Sequence, residues 1–270
     1  MTSLDSDYGF FALELTDART GTSVLCERMM AMRGVFYGGA AAALACSMME
    51  HASQRRVVLC SVQMMSSATV GDRLRLEVDQ VRAGRSVSQL RVTGTVDDRE
   101  VFFAFGSTGD GEPGSDALNA RMPDVAAPDE CPPVEWSFDP DTDHTYFGVL
   151  DLRDAGAPIG RGQDADAVAR WCRIPMLPGW GTAKLAYVAD TASTAIAQAI
   201  QRASGTARPG SSLDNSLRFG PQSDRDWALV VTEVDVVHHG FGHGAVRIWS
   251  EDGKLLALGN QTFTFRARRS

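Results

Sequence analysis

The same order of elements occurs twice in this chain, and that repetition limits its folds more than any single motif does. In the first half a small, apolar helix is expected at 38–52, ahead of strand-like runs at 56–68, 73–82, 86–96 and 100–108. Leu74, Leu76 and Val78 there alternate with Arg73, Arg75 and Glu77, the period of a half-buried strand. The second half repeats the order with a helix at 182–202, which carries Leu185, Ala189, Ala192, Ile196 and Ala199 on one stripe. Runs at 211–219, 227–238, 243–250 and 254–265 follow it. Local registers agree: Glu77-Val78-Asp79 recurs as Glu233-Val234-Asp235 (233 − 77 = 156), and Asp98 before a strand recurs as Asp252 (252 − 98 = 154). An internal duplication accounts for both.

Between the copies, Gly, Asp, Ser and Pro dominate from Gly109 to Pro133 and no apolar period survives, which reads as a linker. The expected organisation is therefore a first domain at 1–110, a linker at 111–134 and a second domain at 135–270. A long helix followed by strands that can pair by hairpins predicts α+β architecture, one helix laid on an antiparallel sheet in each half. A single copy would leave a sheet edge exposed. Pairing the copies edge to edge covers it and puts the expected site in the crevice between halves.

Charge and composition narrow the partners. Thirty-four acids against 26 bases give a net charge of −8, without the positive field that attracts phosphate backbones or anionic lipid, so nucleic acid is not an expected partner. The longest apolar stretches, at 40–46 and 101–105, fall far short of the roughly 20 residues that span a bilayer. The N-terminus opens with Asp5 and Asp7 and lacks signal-peptide features, so a cytoplasmic protein is expected. Five cysteines, widely spaced and without a C-x-x-C pair, read as buried free thiols rather than as disulfides or a zinc site.

Five short stretches, in order, carry a family resemblance. They are Gly34-Val35-Phe36-Tyr37-Gly38-Gly39, Val81-Arg82-Ala83-Gly84-Arg85-Ser86, Leu185-Ala186-Tyr187-Val188-Ala189-Asp190, Ser212-Leu213-Asp214-Asn215-Ser216-Leu217-Arg218-Phe219 and Asn260-Gln261-Thr262. The chain resembles the acyl-CoA thioesterase II family, whose members have two fused hot-dog domains. The resemblance covers most of the chain except the linker and the stretch at 136–166. It implies an α+β double hot-dog fold, hydrolysis of fatty acyl-CoA thioesters to free fatty acid and CoA, a place in fatty acid metabolism and no cofactor. A homo-oligomer is compatible with it, with the size left open.

Thioester hydrolysis needs an activated water and a stabilised oxyanion. The resemblance implies that Asp214 is the base and that Gln261 helps to hold and orient the water, since an amide offers both a donor and an acceptor. Backbone N–H groups at Gly38 and Gly39 would bind the thioester oxygen at a helix start. On alternation alone Asp214 reads instead as a solvated carboxylate beside Ser212, Ser216 and Arg218. Asp235 falls where the family has a threonine or serine. It is either a second carboxylate beside the water, which would raise a pKa, or the structural counterpart of Asp79. The alternative function is an acyl-CoA-binding protein with weak turnover.

Other signals are bland. His238-His239-Gly240-Phe241-Gly242-His243 reads as a hairpin turn, and no metal is assigned. Gly179-Trp180-Gly181 lacks the third glycine of a dinucleotide loop, and no G-x-S-x-G marks a serine nucleophile. Met48, Met49, Met64 and Met65 are expected in the core rather than along an acyl channel.

Overall fold

The computed structural model of the protein describes residues 3–111, 114, 117, 120–136, 138–156, 167–205 and 210–265. Part of the expected linker, at 112–113, 115–116 and 118–119, lies outside them. In the first half α1 (Ser3–Phe10), β1 (Leu13–Leu15), β2 (Thr20–Val24), β3 (Met30–Ala31) and β4 (Val35–Phe36) precede α2 (Gly38–Ser53). After it come β5 (Val57–Met64), β6 (Arg73–Ala83), β7 (Val87–Val96) and β8 (Arg99–Gly109). In the second half β9 (Asp151–Asp154) and β10 (Ala167–Arg173) precede α3 (Thr182–Ala189) and α4 (Ala192–Ser204). Then follow β11 (Gly210–Ser212), β12 (Asp214–Phe219), β13 (Ala228–His238), β14 (Phe241–Ser250) and β15 (Leu255–Phe265).

One 13-stranded sheet runs through both halves in the order β1-β2-β6-β7-β8-β5-β12-β15-β14-β13-β10-β9, with β11 also on β15. The halves join edge to edge where β5 pairs antiparallel with β12, Ser61 opposite Ser216. Their hydroxyls are hydrogen-bonded to each other, and 216 − 61 = 155 matches the repeat offset, so these serines lie on the pseudo-twofold axis. This is the α+β double hot-dog arrangement. Residues 39–49 of α2 are all buried. Its alanines favour helix, and apolar sides all round require a sheet wrapped about it. Gln54, at φ 55°, ends it in the left-handed conformation.

The repeat extends to the turns. Asp97 and Asp98 (φ 46° and 62°) link β7 to β8, while Asp252 sits in the turn between the corresponding strands β14 and β15. His239 and Gly240, at φ 48° and 81°, make the two-residue turn between β13 and β14, so the histidine cluster forms a hairpin tip as expected.

Three features depart from the expected elements. The run at 56–68 is strand only to Met64, and short outer strands β1, β2, β9 and β10 extend both ends of the sheet. The single helix expected at 182–202 is two, interrupted at Asp190 and Thr191. There Thr191 Oγ1 bonds the Val188 carbonyl at 2.7 Å, and Thr191, Ser193 and Thr194 N–H groups bond three residues back. Local bonding of this kind competes with the α-helical ladder. Finally, the described end of the linker is packed: the Trp171 indole donates to the Ala126 carbonyl at 2.8 Å, and Met122 and Val125 pack on a cluster with Trp171 and Trp249.

The helices of the two halves meet inside the sheet. Gly39 in the first turn of α2 lies so close to α3 that a methyl group there would overlap the Tyr187 carbonyl oxygen and the Tyr37 ring. Tyr37 donates to that same carbonyl at 2.9 Å. Phe10 and Phe11, from the N-terminal end of the first half, meet the Tyr187 ring edge-on at 5.6 and 5.5 Å. Each half therefore completes the other's core. No helix among the described residues is long and apolar enough to cross a membrane.

Candidate active site

A narrow cavity opens where the first turn of α2 approaches the break between α3 and α4. Gly38, Val62 and Met64 line it from the first half, and Asp190, Ser212, Asp214 and Asn215 from the second.

Asp190 is the best-connected of these residues. It is buried, and its Oδ2 accepts from the Gly39 N–H at 2.9 Å. Its Oδ1 accepts from the Ser212 hydroxyl at 3.2 Å and from Gln261 Nε2. Burial pushes the carboxyl up to about 7, against the lowering effect of the bonds from Gln261, Gly39 and Ser212, and the charge of Asp214 raises it further. Burial exceeds the hydrogen bonds because removing a carboxylate from water disfavours its charged form more than three donors compensate. The positive end of the α2 dipole also faces this charge. A group poised near neutrality in a cleft has the proton affinity of a general base.

Gln261 is buried on β15. Its Nε2 also donates to Ser212 Oγ at 3.0 Å, while no described protein group reaches its Oε1. Asp214 is at the cavity wall, but its Oδ1 accepts from the Thr262 backbone N–H at 2.8 Å. Of the residues the sequence singled out, Gly38, Gly39, Asp214 and Gln261 are thus brought together, with Gln261 bonded to Asp190.

Asp235 stands apart. It is exposed at the register shift between Val234 and Val236, and β15 and β14 lie between β12 and its strand β13. Asp79 borders the corresponding shift on β6 and pairs with Arg91 at 3.2 Å. Asp79 and Asp235 therefore mark the same bulge in the two repeats, and Asp235 does not join the cavity. Of the methionines, Met48 and Met49 are core, Met64 lines the cavity and Met65 is exposed.

Asp190, Ser212 and Asn215 lie within the sequence motifs, but nothing in those motifs marks a role for them. The available signal for Asp190 was a carboxylate interrupting a helix of alanines and aliphatic residues. The duplication also shows why one site is polar. Phe105 and Asn260 face Ser61 and Ser216 respectively, again 155 apart, so Asp214 corresponds to Leu59 and Gln261 to Gly106. At Gly106 the Met49 sulfur lies 2.6 Å from where a Cβ would stand. The equivalent place in the other repeat is filled by apolar packing.

A family model for the acyl-CoA thioesterase C-terminal domain matches residues 128–265, and one for the acyl-CoA thioesterase N-terminal domain matches residues 27–109. The chain belongs to the acyl-CoA thioesterase II family. Among solved structures, a protein from Novosphingobium aromaticivorans is 31% identical, with 95% of this chain and 99% of that one covered and a TM-score of 0.85. The acyl-CoA thioesterase II TesB2 of Mycobacterium marinum is 19% identical, over 97% of this chain and 99% of that one, with a TM-score of 0.77. A conserved hot-dog protein of unknown function from Alicyclobacillus acidocaldarius is 20% identical over 99% of both chains, with a TM-score of 0.78. No curated protein matches. For this thioesterase family member the lower-identity likenesses bear on fold alone.

Proposed function

We propose that the protein hydrolyses acyl-CoA thioesters with Asp190 as the general base. The observation that carries this reading is a buried carboxyl raised to about 7 and held against a glycine helix start. In the proposed reaction the Asp190 carboxylate takes a proton from water as its oxygen attacks the thioester carbon. The Gly38 and Gly39 N–H groups receive the carbonyl oxygen as it becomes an oxyanion, the carboxylate having moved off the Gly39 N–H. The open Oε1 of Gln261 accepts the second hydrogen of the water. Collapse of the tetrahedral intermediate breaks the carbon–sulfur bond, and the proton on Asp190 passes to the departing CoA thiolate, leaving a carboxylic acid and CoA.

In this assignment Asp214 is a positioning residue. It accepts from the Thr262 N–H, next to Gln261, and its charge adds to the burial that raises the Asp190 carboxyl. The test is thioester hydrolysis followed by free-thiol release across acyl-CoAs of increasing chain length. Turnover lost in Asp190→Asn supports the reading, and undiminished turnover in that variant sinks it. A second reading, acyl-CoA binding with weak turnover, is favoured by one observation: the Gly39 N–H already donates to Asp190. A variant-independent rate near that of buffer, with acyl-CoA bound, would select it.

A further inference from the structure

Asn215 is a polar cavity residue outside the hydrogen-bond network around Asp190. It sits on β12 opposite Val62 of β5, on the buried face of the sheet, and is only 4% exposed. Among the described residues nothing bonds to its amide oxygen or to its amide nitrogen. A buried amide with neither group paired is costly, whereas an apolar side chain of the same shape would pack there without penalty. Val62, its partner across the seam, is such a residue. Both line the cavity beside Gly38 and Asp190.

We infer that Asn215 is a specificity residue that selects acyl groups carrying an oxygen substituent close to the thioester. The inference rests on the thioesterase reading above and deepens it. Two arguments carry it. A hydroxyl or keto group bonds the Asn215 amide directly, a hydroxyl engaging both its donor and its acceptor. A plain alkyl chain leaves both unpaired, and sites built to bond a substrate oxygen reject analogues without one far more strongly than apolar pockets reject an altered methylene. Its place sets the position: Asn215 lines the same cavity as Gly38 and Asp190, the oxyanion donor and the base of that reading. The substituent is therefore close to the reacting carbon.

The experiment compares butyryl-CoA with 2-hydroxybutyryl-, 3-hydroxybutyryl- and 3-oxobutyryl-CoA as substrates of the wild-type chain and of Asn215→Leu, with Asn215→Ala as a second variant should the leucine form not fold. At least one oxygenated substrate is expected to exceed butyryl-CoA in kcat/KM by about tenfold or more. Asn215→Leu is expected to invert that preference, lowering the oxygenated substrate by on the order of 10²-fold and raising butyryl-CoA. Its melting temperature without ligand is expected to rise, because the orphaned amide is gone. Hydrolysis of all four at similar rates, or an equal fall on all four in the variants, overturns the role of Asn215 while leaving the thioesterase reading intact. Failure to hydrolyse any of the four, and any longer acyl-CoA as well, overturns that reading and this inference with it.

Discussion

The Gly39 N–H of the first repeat lies 2.9 Å from the Asp190 carboxylate of the second. That single bond spans 151 residues of sequence and joins the helix start of one hot-dog to the helix break of the other. The pairing is possible because Gly39 has no Cβ, so α2 and α3 can approach until the Tyr187 carbonyl oxygen occupies the space a side chain would need.

Gly39→Ala is therefore expected to damage both stability and catalysis. The added methyl forces α2 from α3, which at typical overpacking costs is about 2 kcal/mol, or roughly 4–8 °C of melting temperature in a chain of this size. Turnover is expected to fall with it, since the base and the helix-start donors separate. Thermal unfolding and thiol release on the one variant check the two effects. Unchanged melting would mean that the close approach is absent.

Stability is expected to depend on Asp190 through pH. Its folded carboxyl is raised from 3.8 to about 7, so ionisation is less favourable in the fold than in the unfolded chain. The sign follows: stability falls as pH rises from about 4 to about 7 and is level above that. Asp7, raised to about 6 chiefly by burial, contributes in the same direction. Asp190→Asn, neutral throughout, is expected to melt higher than the wild type at pH 8 and to lose that advantage at pH 4. Melting curves at the two values decide it.

Much of the fold was legible because the repeated order, the alternation of Leu74, Leu76 and Val78, and the turn residues around Asp98 and His239 are local signals. The outer strands were not. β1 and β9 have only three and four residues, too few for an alternating pattern to show, although each pairs with the next strand in the chain. The break after Ala189 was hidden because the apolar stripe resumes at Ala192, and Asp190 and Thr191 interrupt the helix only through bonds to their surroundings. The site was legible in its parts: Gly38 and Asp214 line one cavity, and Gly39 and Gln261 bond the Asp190 carboxylate in its wall. What linear order withheld was the assignment among carboxylates. Asp235 lies in a motif shared by both repeats, and only the strand order shows that it faces away from the cavity.

Asp235→Thr is accordingly expected to leave kcat and the acidic limb of its pH profile unaltered. The side chain is exposed at a bulge, with two strands between it and Asp214, where surface screening makes its charge of little consequence to the base. A rise in turnover or a displaced limb in that variant would restore Asp235 to the catalytic group.

Asp214→Asn is expected to shift the acidic limb of kcat/KM to lower pH. Asp214 raises the Asp190 carboxyl by like charge, so neutralising it lets Asp190 ionise earlier. The profile, rather than the rate at one pH, is the informative readout, because a purely structural role for Asp214 would leave the limb in place.

The most direct measurement is the single-turnover rate of acyl-CoA hydrolysis by Asp190→Asn beside Asp214→Asn, each at its own optimal pH. With Asp190 as base, Asp190→Asn is expected to slow the chemical step by on the order of 10²-fold or more, while Asp214→Asn keeps a larger share of its rate. Loss of the chemical step in Asp214→Asn with a near-normal rate in Asp190→Asn would contradict that assignment and return the base to Asp214.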